Sequence, residues 1–108
     1  MTQGPNVKEV TEQIRETLMK CASARIRRIL LYGSRVTGSA REDSDFDILV
    51  IEKGPVDKFE ESLRLRKALR ELPCSVDVWV MSEEEFEETK NVIGGLAYPA
   101  NKYGVLLT

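Results

Sequence analysis

Tyr32-Gly33-Ser34, then ten residues, then Asp45-Phe46-Asp47-Ile48-Leu49-Val50-Ile51: this stretch decides how the chain folds. Residues 46–51 form the strongest strand pattern in the sequence, and residues 26–32, Ile-Arg-Arg-Ile-Leu-Leu-Tyr, form another that stops at Gly33. Asp45 and Asp47 stand two apart at a strand start, so they point to one face, with Cα atoms about 6.7 Å apart. Phe46 and Ile48 point the other way, into a core. Two acids side by side on a strand repel each other, and a divalent metal relieves the repulsion. Carboxylates so placed can converge on hard cations ~3.5–4 Å apart. Gly33 lets the backbone approach a ligand closely. The N–H groups of such a turn, with the Ser34 hydroxyl, can hold phosphate oxygens. If turn and acids serve one site, the first two strands are antiparallel.

Working outward, Val7, Val10, Ile14, Leu18 and Cys21 recur every three or four positions, which predicts a helix over 7–21. Residues 1–6 read as a frayed start. Residues 33–44 hold two Gly and three Ser and carry turn or short-helix chemistry. Gly54-Pro55 breaks the second strand. Asp57 and Glu60 open a helix bearing Phe59, Leu63, Leu65, Leu69 and Leu72 and ending at Pro73. Residues 75–81 predict a third strand. Ser82 and Glu85 open a further helix, with Phe86, reaching Gly94-Gly95. Residues 103–107 predict a last short strand. A helical crossover over 57–72 suits a right-handed parallel pairing of the second and third strands. Asp77, near the start of the third strand, then joins Asp45 and Asp47 on one face. Trp79 should share the Asp77 face; it is expected as a core side chain, with packing under a bound nucleotide as the rival use. The expected architecture is α/β, a single domain over 1–108: a mixed sheet, helices packed on one face, and the acids and the phosphate turn at one end.

Composition narrows the chemistry. The chain has 108 residues with 16 basic and 18 acidic side chains, a net charge of −2, which gives little support for a broad nucleic-acid surface. It has no histidine and no CxxC pair, which excludes Cys/His zinc sites and any histidine base. Cys21 and Cys74 read as small buried hydrophobes in a reducing cytoplasm. No apolar run approaches the ~18 residues of a membrane span, and the N-terminus has no apolar signal core. Residues 20–41 carry Lys20, Arg25, Arg27, Arg28, Arg35 and Arg41 with no acid, while residues 82–90 carry five Glu and one Lys. Each run is a solvated face or a charged patch that steers a partner, and Arg35 and Arg41 are candidates to contact a triphosphate or a partner.

The pairing of Gly33-Ser34 with Asp45-x-Asp47 and a later strand Asp77 resembles the DNA polymerase β-type nucleotidyltransferase superfamily. The short length makes it similar to the minimal nucleotidyltransferase branch, and residues 100–107, Ala-Asn-Lys-Tyr-Gly-Val-Leu-Leu, look like that branch's closing segment. The resemblance runs from about residue 29 to the end. It implies a polymerase β-like fold and a transfer of AMP from ATP to a hydroxyl. In that scheme Asp45 and Asp47 hold two Mg²⁺ ions and Asp77 binds one of them and serves as general base. Gly33 and Ser34 hold the β- and γ-phosphates. Many members pair with a helical HEPN-domain protein as antitoxin and toxin, which implies a partner protein as acceptor, since no acceptor domain is expected within 108 residues. The alternatives are a small molecule or RNA end as acceptor, or an antitoxin that neutralises its partner by binding alone.

Overall fold

The computed structural model describes residues 7–22, 24–37 and 45–107. The expected frayed start, Arg41, Ser44 and the second half of the glycine–serine stretch lie outside the described residues.

Four strands form one mixed sheet. They are β1 (Ile26–Tyr32), β2 (Phe46–Glu52), β3 (Val76–Ser82) and β4 (Val105–Leu106), in spatial order β3-β2-β1-β4. β1 runs antiparallel to β2 and β4, and β2 runs parallel to β3, with α3 as the long crossover that a parallel pair needs. Helix α1 (Val7–Ala22) buries Val10, Ile14, Leu18 and Ala22, one stripe at helical spacing. Helix α3 (Lys58–Leu69) is the crossover between β2 and β3. The Asp57 side chain accepts from the Glu60 N–H at 3.1 Å and starts α3 where the capping pattern put it. α1 and α3 pack on one sheet face, against Ile29, Leu31, Phe46, Ile48, Val50, Val78 and Val80. Cys21 and Cys74, free thiols, pack partly buried against this cluster.

The expectation of helices on one face is corrected by the opposite face. There Leu30, Tyr32, Leu49, Ile51 and Met81 are buried together with Phe86 of α4 (Glu83–Thr89) and Ala97 and Ala100 of α5 (Ala97–Tyr103). Ile48-Leu49-Val50-Ile51 is apolar without alternation because β2 lies between two covers, and all four residues are fully buried. α5 has no counterpart among the expected elements. Its Pro99 sits in the first turn, where the missing N–H removes no helix bond. α5 also takes Tyr103, so the expected strand over 103–107 shrinks to Val105–Leu106. α4 starts as expected, Ser82 accepting from the Glu85 N–H at 3.1 Å, but ends at Thr89 rather than at the glycine pair. The poor helix formers Asn91, Val92 and Ile93 follow it.

Two of the apolar side chains on the expected helix lie outside the core. On α3, Leu65 and Leu69 are buried, yet Phe59 is 71% and Leu63 49% exposed. Residues 63 and 65 lie about 200° apart round a helix, so the helix carries two apolar stripes and buries one. The charge runs also lose their independence. Arg28 pairs with Glu87 at 3.2 Å and stacks over Phe86, and Arg27 lies 4.0 Å from Glu83, so β1 and α4 share two ion pairs. Among the described residues no helix is long and apolar enough to cross a membrane.

Candidate active site

Strand register builds the site. Tyr32 pairs with Asp47, and Asp47 with Asp77, so three residues form a row across β1, β2 and β3 on the face bearing α4 and α5. Paired residues on neighbouring strands share a face, so the row projects together. α4 and α5 cover the far part of this face, around Ile51, Met81 and Ala100, and leave the row half open: Asp47 and Asp77 are half-buried. Asp45 sits one step before β2 and is exposed.

Gly33 ends β1 with φ +82°, in the left-handed region that favours glycine. A Cβ built there would collide with Asp47 Oδ2. The turn and the carboxylate are therefore in contact, which is the juxtaposition the sequence spacing predicts. Ser34 follows at once, half-buried, and opens α2 (Ser34–Thr37), with the Val36 N–H donating to Gly33 O at 3.0 Å.

The electrostatics are those of crowded acids. Burial, then the charges of Asp77 and Asp45, raise Asp47 above the ordinary carboxylate range. Burial, then Asp47 and Asp77, push the Tyr32 phenol well above its usual value, so it stays neutral. Asp77, expected only to join Asp45 and Asp47 on one face, is also held by two donors. Its Oδ1 accepts from Arg66 Nη2 and its Oδ2 from Trp79 Nε1, each at 3.2 Å. Arg66 also donates to Val78 O, through Nε at 3.2 Å and Nη2 at 3.1 Å, and lies 5.5 Å from the Trp79 ring centre. Trp79 is 45% exposed and is no core side chain; it stands beside Asp77 on the open face. Arg35 stacks 4.3 Å over the ring of Phe46, which belongs to the core on the opposite face, and so lies away from the acid row.

Whether a metal suits these residues depends on the donor set and on its charge. All the donors are carboxylate oxygens, which suit magnesium-type cations rather than zinc. Asp47 is raised by neighbouring negative charge, so a cation beside Asp45 and Asp47 would relieve a repulsion that is present. Among the described residues no three acids close round one point, because Asp77 is held by Arg66 and Trp79. The donors of Asp45 and Asp47 fit a hard cation.

Arg66 and Tyr32 are members of this site that sequence reasoning passed over. Tyr32 was legible as the residue before Gly33. Arg66 carries one faint signal: it shares the stripe of Phe59 and Leu63, which the core does not bury.

Three comparisons bear on this arrangement. Residues 11–97 match the family model described as Nucleotidyltransferase domain. The chain is 41% identical over 61 residues to the "Probable protein adenylyltransferase MntA" of Haemophilus influenzae, covering 53% of each chain. It thus spans about half the length of this curated relative. Among solved structures, a "putative nucleotidyltransferase" from Sulfolobus solfataricus superposes with a TM-score of 0.60 at 23% identity, over 98% of this chain and 89% of the other. A toxin-antitoxin crystallised with AMP-PNP gives 0.58 at 23% identity, over 90% and 72%. At these identities the two structures establish a shared fold.

Proposed function

The chain belongs to the nucleotidyltransferase domain family, and from that premise we propose that it transfers AMP from ATP to a hydroxyl of a partner protein. The observation that carries this reading is the contact between the Gly33 turn and the Asp47 carboxylate, with Asp77 next in the row. A phosphate-binding turn and acids at one point are what a nucleotidyl transfer needs. The protein adenylyltransferase name of the Haemophilus influenzae relative supports a protein acceptor. The fold neighbour with AMP-PNP supports an adenine nucleotide, and its description as a toxin-antitoxin supports a toxin as partner. A HEPN-domain toxin is the partner the family resemblance implies, and the cytoplasm is the compartment.

Asp45 and Asp47 would hold two magnesium ions, with Asp77 beside one of them. When bound, such ions neutralise the triphosphate and lower the pKa of the attacking hydroxyl. Gly33 and Ser34 hold the β- and γ-phosphates through backbone N–H groups and the Ser34 hydroxyl. Asp77 accepts the proton of the acceptor hydroxyl. Arg66 and Trp79 orient Asp77, and neutral Tyr32 walls the row without adding charge. Positioning and electrostatics supply most of the rate.

The test is incubation with α-labelled ATP, Mg²⁺ and a candidate helical partner, followed by mass spectrometry of that partner. AMP on a partner hydroxyl is expected, and Asp45→Asn with Asp47→Asn abolishes it. Label found on RNA or a small molecule alone, with the partner present and folded, overturns the protein acceptor. Transfer unchanged in the double variant overturns the site.

A further inference from the structure

Asp77 carries a counter-charge of its own. Arg66 of α3 donates to it from Nη2, and the same guanidinium is seated by a second partner, because Nε and Nη2 both donate to Val78 O. One planar fork thus bridges the acid and the backbone of β3, a geometry that a lysine ammonium does not copy. The pair adds little to stability: both side chains are half exposed, and water screens an ion pair so placed. Arg66 also has room to yield. It stands on the α3 stripe of Phe59 and Leu63, at spacings of four and three, and this stripe borders a groove of about 560 Å³ that Trp79 lines as well.

We infer that Arg66 is a positioning residue that competes with a divalent cation for the Asp77 carboxylate, so that the site takes a cation complexed to a triphosphate in preference to the free ion. The inference rests on the reading of Asp45, Asp47 and Asp77 as the acids of nucleotidyl transfer. The charges decide the preference. The three carboxylates attract a divalent ion, whereas Arg66 offsets one of them and repels the ion. The complex of such an ion with ATP is a net anion, so the same guanidinium attracts it. Removing the charge at residue 66 must then move the two affinities in opposite directions. A side chain that only braced the fold would move both the same way, or neither. The fork adds an orienting role, since it fixes the plane of the carboxylate. Lysine at this position keeps the charge and loses the fork, which separates the two roles.

The probes are Mn²⁺ alone, followed by the electron paramagnetic resonance of the free ion, and Mg²⁺ with AMP-PNP, followed by calorimetry. Arg66→Gln should tighten Mn²⁺ binding about tenfold and weaken AMP-PNP binding about threefold. Arg66→Lys should keep both affinities near those of the wild type and lower transfer about tenfold. Lys58→Gln removes an equal charge from the same helix, where Lys58 pairs with Glu85 at 3.0 Å, and should leave Mn²⁺ binding unchanged. Trp79 is the sole tryptophan and donates to Asp77, so its emission should shift at a lower Mg²⁺ concentration in Arg66→Gln than in the wild type. The proposal is overturned if Arg66→Gln binds Mn²⁺ no tighter, if both affinities move the same way, if Lys58→Gln tightens Mn²⁺ as much, or if Arg66→Lys transfers at the wild-type rate. If neither the wild type nor Arg66→Gln binds Mn²⁺, or if binding survives Asp45→Asn with Asp47→Asn, it is the reading of the acids that falls.

Discussion

At the scale of single residues, Gly33 is the tightest constraint on the site. It combines a left-handed φ with a Cβ position that Asp47 fills. Gly33→Ala should cost about 1–3 kcal/mol for the backbone alone, and more for the displaced carboxylate, and abolish transfer. Thermal unfolding with a transfer assay checks both. Restoring stability but not transfer by adding Asp47→Ala would identify the clash as the cause. Ser34→Ala should weaken ATP binding by about 1 kcal/mol, the worth of a hydrogen bond, and calorimetry measures it. Asp45→Asn with Asp47→Asn should fold at least as stably as the wild type without metal, because the variant removes like charges that raise Asp47.

At the scale of elements, α3 separates its two apolar stripes, and their energetics should separate as well. Leu65→Ala, at a fully buried position, should lose about 2–5 kcal/mol by denaturant titration. Phe59→Ser, at 71% exposure, should change stability by less than about 0.5 kcal/mol. The core stripe begins with an acid, Glu61, which is buried with Glu52 of β2. Arg64 grips Glu61 through Nε at 3.1 Å and Nη2 at 2.8 Å and donates to Cys21 O at 2.9 Å. Burial and then the neighbouring Glu61 carboxyl push Glu52 up from 4.5 to about 8, against the charges of Arg25 and Arg64. Glu52 is therefore protonated at neutral pH beside Glu61, whose own value is lowered: burial raises it, but the Arg64 guanidinium and its other neighbours favour the ionised form more. The signs oppose each other. A raised carboxyl binds its proton more tightly when folded, so stability falls as pH rises between 4.5 and about 8. The lowered Glu61 loses stability as pH falls below 4.5. Glu52→Gln keeps the side chain's size and carries no titrating proton, so it should flatten the decline above pH 4.5 and leave the acid limb in place. Denaturant midpoints across pH 4–9 measure it.

At the scale of the whole molecule, charge is spent internally. Arg27 and Arg28 of β1 pair with Glu83 and Glu87 of α4, so part of each run is committed within the molecule. With these charges paired internally, kcat/KM for a protein acceptor should change by less than about threefold between low and moderate salt. A steep decline would restore the charged runs as the docking surface.

Much of this was legible in order along the chain. The spacing from Gly33 to Asp47, the acids two apart, the caps at Asp57 and Ser82, and the run Ile48–Ile51 are local patterns. Local patterns report backbone preference and the side to which a residue points, so the antiparallel and parallel pairings and the row of acids follow from them. What needed the tertiary structure was partnership between distant residues. Trp79 reads as core by type, yet it is exposed because β3 is the edge strand and, among the described residues, no helix buries it. Arg66 reaches Asp77 because the crossover lays α3 beside β3. Phe59 and Leu63 satisfy the apolar period of a buried helix, but a helix of this radius can bury one stripe against a sheet. Propensity and spacing are properties of one segment, whereas burial and ion pairing depend on what a second segment brings; the packing of α3 and α5 on the sheet decided the groove and Asp77's partners.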